Sequence, residues 1–195
     1  MATHDPTAQK ASSHAQLNPS QKWDEVQKFI KEVPTSMLVS NSPDGKLASR
    51  AMNAATVEGG IFHFFTNVES GKTNDLENSP QVNVSYLNPK DGSWVSVSGT
   101  ARVNTDREKI KKHWHPSLSA WFNKKDDKHD GTANDPRVGF IEVHPDEIRY
   151  FKSDGALKTA IDAAKAALTG GVAAPGSLII ITQEELKVLA DHFHK

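Results

Sequence analysis

Two cations frame the stretch of sequence best suited to chemistry. Arg50 lies in Ser49-Arg50-Ala51-Met52, and Lys72 follows Ser70-Gly71 at the start of a short polar segment. A guanidinium can grip a phosphate through two parallel N–H bonds. A lysine in the first turn of a helix opposes the macrodipole, which favours anions there. An anion docked on that helix start removes the conflict, because free N–H groups and the lysine then converge on it. A merely exposed Lys72 is the plainer alternative, since the mismatch amounts to only ~0.3–1 kcal/mol. Between the two cations, Phe64-Phe65-Thr66-Asn67 offers flat apolar rings beside a hydroxyl and an amide. Such a mixture suits a ligand with an aromatic part and a polar chain.

These groups need a scaffold, and the pattern of the chain supplies one. Residues 1–18 are rich in Thr, Ser, Ala, His and Gln and read as a disordered tail. Trp23, Val26, Phe29, Ile30 and Val33 recur at helical spacing, with Ser20 available as N-cap and Pro34 as the stop. The period then changes to alternation. Residues 36–40 and 47–53 read as a hairpin turned at Pro43-Asp44-Gly45. Further strands are expected at 61–65, 81–86, 94–103, 138–143 and 148–151, with a small crossover helix at 70–78. Thr105-Asp106-Arg107-Glu108 has the pattern of a capping box opening a helix to about Lys112.

Six to seven short strands with few helices predict a mainly β domain over 19–153. A closed or nearly closed barrel is expected, because closure removes exposed edges. Residues 154–195 read as a helical C-terminal extension. There Leu157, Ala160, Ile161, Ala164 and Leu168 line one face of an Ala-rich helix that Gly170-Gly171 ends. After the apolar run 178–181, Thr182-Gln183-Glu184-Glu185 caps a last helix bearing Leu186, Leu189 and Phe193. This apolar face is too small to fold alone, so the extension should pack on the barrel or on a partner subunit.

Composition narrows the function classes. Lys+Arg and Asp+Glu stand at 23 against 24, so no net field draws nucleic acid or an anionic membrane. Without cysteine there is no disulfide, thiolate catalysis, iron–sulfur cluster or Cys-bound zinc. No apolar run approaches the ~20 residues of a membrane span, and residues 1–18 lack a leader-like apolar core. A cytoplasmic location is the expectation, with a nuclear one also compatible. His113 and His115, like His192 and His194, lie two apart and point in different directions on a helix, so no metal site is expected. No Gly-rich phosphate loop, nucleophile elbow or HExxH motif occurs.

Taken in order, the motifs at 49–52, 64–67 and 70–72, followed by Trp94-Val95-Ser96-Val97-Ser98-Gly99-Thr100-Ala101, resemble the FMN-binding split barrel of the pyridoxamine 5'-phosphate oxidase-like superfamily. The branch most resembled is the general stress protein group with its fungal blue-light-inducible relatives, and Trp121-Phe122 fits that branch. The likeness spans about residues 18–152 and implies a homodimer in which two subunits share each FMN. It implies phosphate contacts from Arg50 and Lys72, ring or ribityl contacts from Met52, Asn53, Phe65 and Thr66, and a cofactor contact from Ser70. Trp94 takes a position where the oxidases often carry Gln, and Trp121 would approach the ring from the other subunit. Core or interface packing is an equal alternative for both tryptophans.

Three departures qualify the activity. Ala55 stands where oxidases of pyridoxamine phosphate carry a substrate-binding lysine, and His113-Trp114-His115-Pro116 lacks the arginine of their Tyr-Phe-x-x-Arg-Pro stretch. Near Ile148-Arg149-Tyr150 their C-terminal arginine signature has no counterpart. The resemblance therefore implies a stress-related flavoprotein oxidoreductase or reductase of unknown substrate, not a true pyridoxamine phosphate oxidase. The alternative is a non-catalytic FMN storage or sensor protein.

Overall fold

The computed structural model describes residues 17–171, 173 and 176–193. The tail read at 1–18 and His194 therefore lie largely or wholly outside the described residues, as do the side chains of Lys72, Leu157, His192 and Phe193. The first helix, α1 (Pro19–Glu32), is capped by Asn18 and not by Ser20. Asn18 and Gln21 exchange two 3.0 Å side chain–backbone bonds, with Pro19 preset for the first helical position. Trp23, Val26, Phe29 and Ile30 turn inward.

Eight strands follow in one antiparallel sheet, one more than the upper expectation: β1 (Thr35–Asn41), β2 (Leu47–Asn53), β3 (Thr56–Glu58), β4 (Ile61–Asn67), β5 (Gln81–Leu87), β6 (Trp94–Asn104), β7 (Val138–Ser153) and β8 (Gly176–Ile181). The spatial order is β2-β1-β5-β6-β7-β4-β3, with β8 also on β7. No ladder joins β2 to β3 among the described residues, so the sheet is a curled half-barrel, split between its two edges. Alternation places Leu38, Val82, Val84, Tyr86, Val95, Val97, Phe62 and Phe64 in one core, closed by α1.

The expected pair of strands at 138–143 and 148–151 is one sixteen-residue strand, β7. Pro145-Asp146 does not end it, because the register shifts there: Gly99 faces Pro145, Ser98 faces Glu147, and Asp146 is the extra bulge residue. The missing N–H of Pro145 faces no loss on the other edge either. There β4 pairs with residues 138–143 and β8 with 148–153.

The C-terminal extension is not purely helical, since β8 completes that second edge. Its last helix, α5 (Gln183–Phe193), has the expected Thr182–Glu185 capping box and packs on β7 and α1. Lys22 ties these parts together, donating to the Ile180 carbonyl at 2.8 Å and to Glu185 at 2.7 Å. By contrast α4 (Ala156–Thr169), ended by left-handed Gly170, leaves Ile161 and Leu168 exposed.

Two shorter helices complete the fold. The crossover helix α2 (Gly71–Asn78) links β4 to β5. Helix α3 (Arg107–His113) is capped by Asp106, one residue later than the Thr105 cap expected, through bonds from the Glu108 and Lys109 N–H groups.

At the bulge, a Cβ on Gly99 would overlap the backbone of His144 and Pro145. Gly99→Ala should therefore lower stability by about 2–3 kcal/mol, read in thermal denaturation as a Tm lower by roughly 5–10 °C.

Candidate functional site

Arg50 sits on β2, the edge strand beside the split. Its register partner is Leu38, so Ala48, Arg50 and Met52 share the inner face with Ser36, Leu38 and Ser40. Its guanidinium spans from the sheet to a helix. Nη1 donates to Ser40 Oγ at 2.9 Å, and Nη2 donates to Asp75 Oδ2 on α2 at 2.7 Å. The Asp75 side chain is only 9% exposed, whereas that of Arg50 remains 31% exposed.

The same helix presents its N-terminus uncapped by any side chain. Ser70 occupies the N-cap position with extended backbone, but its Oγ donates to the Asn67 carbonyl at 2.6 Å. Thr73 fixes the turn by donating to the Val68 and Ser70 carbonyls at 2.8 and 2.7 Å. Lys72 lies in the first turn, three residues before Asp75. An arginine edge thus lies beside a helix whose first N–H groups have no side-chain partner, an arrangement that favours an anion.

The other expected residues divide. Met52 packs against the core and its carbonyl accepts from Ser36 Oγ at 2.8 Å, while Asn53 is exposed at the end of β2. Thr66 is buried, whereas Phe65 points to the opposite face of β4 and packs on Phe140 and Trp114, at centroid distances of 4.4 and 5.7 Å. Trp94 stacks on Phe151 at 5.9 Å and lines a cleft of about 970 Å³ with Met37, Ser85, Leu87, Lys90 and Ser96. Because Val95 and Val97 turn into the core, Trp94 belongs to the sheet face opposite Arg50. Trp121, ending the 3-10 turn Pro116–Trp121, is 82% exposed. Within one chain Arg50 meets α2 through Asp75, and Trp94 lies on the opposite face of the sheet.

Sequence reasoning missed two polar clusters. One is Ser40 and Asp75 around Arg50. The second centres on Glu142, fully buried in β7 beneath α3. Glu142 accepts from Arg102 Nε at 2.8 Å, Asn104 Nδ2 at 2.7 Å and Lys109 Nζ at 3.2 Å, with His63 Nε2 at 3.4 Å and His144 Nε2 at 3.9 Å. A glutamate within an apolar run (Phe140-Ile141-Glu142-Val143), on the face opposite the barrel core, was the available signal, since a buried carboxylate requires partners. Of the histidine pair at 113 and 115, His113 faces Glu58 and His115 contacts Ser117. Among the described residues no three His, Asp or Glu side chains are grouped to hold a metal.

An antiparallel half-barrel with an anion-favouring edge at its split defines a split-barrel protein. The chain belongs to the pyridoxamine 5'-phosphate oxidase-like family, whose model matches residues 21–173. It is 40% identical to Protein bli-3 of Neurospora crassa over 172 residues, covering 86% of this chain and 82% of that protein. General stress protein 26 of Bacillus subtilis is 31% identical over 91 residues, covering 45% of this chain and 59% of its own length. The crystal structure of the General Stress Protein 26 from Bacillus anthracis matches with a TM-score of 0.57 at 27% identity, covering 67% of this chain and 92% of that one.

The Glu142 cluster sets a pH response. Burial pushes the Glu142 carboxyl up, but bonds from Arg102, Lys109 and Asn104 outweigh it and bring the pKa down from 4.5 to about 2. Burial lowers both His63 and His144 below their ordinary 6.5, against the pull of Glu142. All three groups bind protons more readily when unfolded, so their contribution is full above about pH 6.5 and is lost as pH falls. Thermal denaturation should show Tm declining first below pH 6.5 and more steeply below 4.5. Glu142→Gln should remove the acid-side step, worth on the order of 2–3 kcal/mol, and lower stability at neutral pH.

Proposed function

We propose that this protein is an FMN-binding flavoprotein that acts as an oxidoreductase or reductase in the cytoplasm, as a homodimer with each flavin at the subunit interface. The observation that carries this reading is the Arg50 guanidinium, half-exposed and held by Asp75 against α2, a helix whose start has no side-chain cap. The residues present fit a phosphate there: a charged planar donor, first-turn N–H groups, and Lys72 in that turn. Met52, Asn53, Thr66 and Ser70 would orient the rest of the cofactor. When bound, the flavin supplies electron or hydride transfer, while the protein holds it and shapes access.

The opposite-face placement of Trp94 supports a second copy. A Trp94 contact to the same flavin as Arg50 then comes from the partner, as does a Trp121 contact. Exposed Met37, Leu87 and Trp121 are apolar groups such an interface would cover. The likeness to General stress protein 26 supports a stress-related setting.

A non-catalytic storage or sensor role is the second reading, favoured by Ala55 at the substrate-lysine position. Ala55 N–H donates to the His63 carbonyl at 2.8 Å, and its methyl side chain offers no cation. Anaerobic addition of NADH or NADPH separates the two: bleaching of the bound flavin is the outcome for an oxidoreductase, and unchanged absorbance points to the sensor.

Titration with FMN should quench its fluorescence, and Arg50→Ala should weaken binding by ~1.5–3 kcal/mol. Sedimentation equilibrium should give twice the 21.3 kDa chain mass. A colourless monomer that leaves FMN fluorescence unchanged would sink the proposal.

A further inference from the structure

We propose that Asp75 is a positioning residue for the flavin phosphate, holding Arg50 from its buried side so that the free edge of the guanidinium points at the ligand. This role rests on the flavin reading above. Arg50 has more donors than Ser40 and Asp75 use: one bond leaves Nη1 for Ser40 and one leaves Nη2 for Asp75, and other N–H groups, Nε–H among them, remain. Both partners lie deep. Ser40 is 2% exposed and the Asp75 residue 7%, while the Arg50 side chain keeps nearly a third of its surface open.

The two partners come from different elements, β1 and α2, so they fix both the reach and the tilt of the guanidinium. Without them a long arginine side chain on an edge strand samples many rotamers and loses more entropy when it binds. Asp75 also couples that orientation to α2, the helix whose first turn carries the backbone of Lys72.

The opposite role, a carboxylate sitting where the phosphate would go, is disfavoured by burial. A competitor would occupy the open side of Arg50, whereas Asp75 occupies the closed one. The two roles also predict opposite signs. Removing a positioning group weakens phosphate binding; removing a competing anion strengthens it.

The test uses the full chain with two variants and two ligands. Asp75→Ala deletes the hold on Arg50, whereas Asp75→Asn keeps a carbonyl oxygen that can still accept from Nη2. FMN and riboflavin differ only in the phosphate, so their affinities, read by fluorescence quenching, separate a phosphate effect from general damage to the pocket. Positioning predicts that Asp75→Ala weakens FMN about tenfold, the scale of one charged hydrogen bond, with riboflavin unchanged and FMN affinity largely restored in Asp75→Asn. Tighter FMN binding in both variants would identify a competitor and overturn the role. So would equal losses for FMN and riboflavin, or FMN binding indifferent to both changes while the wild type binds normally. Wild-type protein that binds neither flavin would remove the flavin reading itself, and this role with it.

Discussion

Strand β7 must satisfy three neighbours at once. Along one edge it follows β6 for its full length; along the other it serves β4 first and β8 afterwards. Changing partners mid-strand requires a point where one edge is unclaimed and the direction bends. Pro145 and the extra residue Asp146 supply it, opposite a glycine that allows the backbones to approach. The bend lets one sheet curl into a half-barrel, and the curl sets β2 at one margin of the split and β3–β4 at the other.

Charge is distributed on that frame according to solvent access. Glu142 is fully enclosed and is met by several donors, as a buried carboxylate must be. Arg50 is treated differently, with deep partners on one side and water on the other. The first arrangement closes a region under α3; the second leaves an open donor edge on β2, at the split. An arginine suits that second task because its planar fork can be held from behind while still presenting donors in front.

The elements were largely legible because alternation and helical spacing are local. The β1–β2 hairpin, β5, β6 and the Thr182 cap stand close to where composition and turn residues place them. Errors fell where distant parts decide. Pro145 reads as a break until β6 is known to bulge with it, and 178–181 reads as an apolar run until β7 offers an edge. The caps of α1 and α3 lay at Asn18 and Asp106, each within two residues of the serine or threonine expected, because Asn and Asp serve that position equally well. Arg50 was legible as a candidate cation. Its partners Ser40 and Asp75 were not, lying ten and twenty-five residues away on separate elements.

The tie from Lys22 to Ile180 and Glu185 bears on how the chain is made. The groups it joins lie 158 and 163 residues apart in sequence. During synthesis α1 emerges long before one of its anchors and the edge partner of residues 148–153. Until 176–181 leave the ribosome, the second half of β7 offers unpaired N–H and C=O groups to any passing strand. Nascent chains halted between about residues 153 and 176 would therefore carry an open, adhesive edge that finished molecules lack.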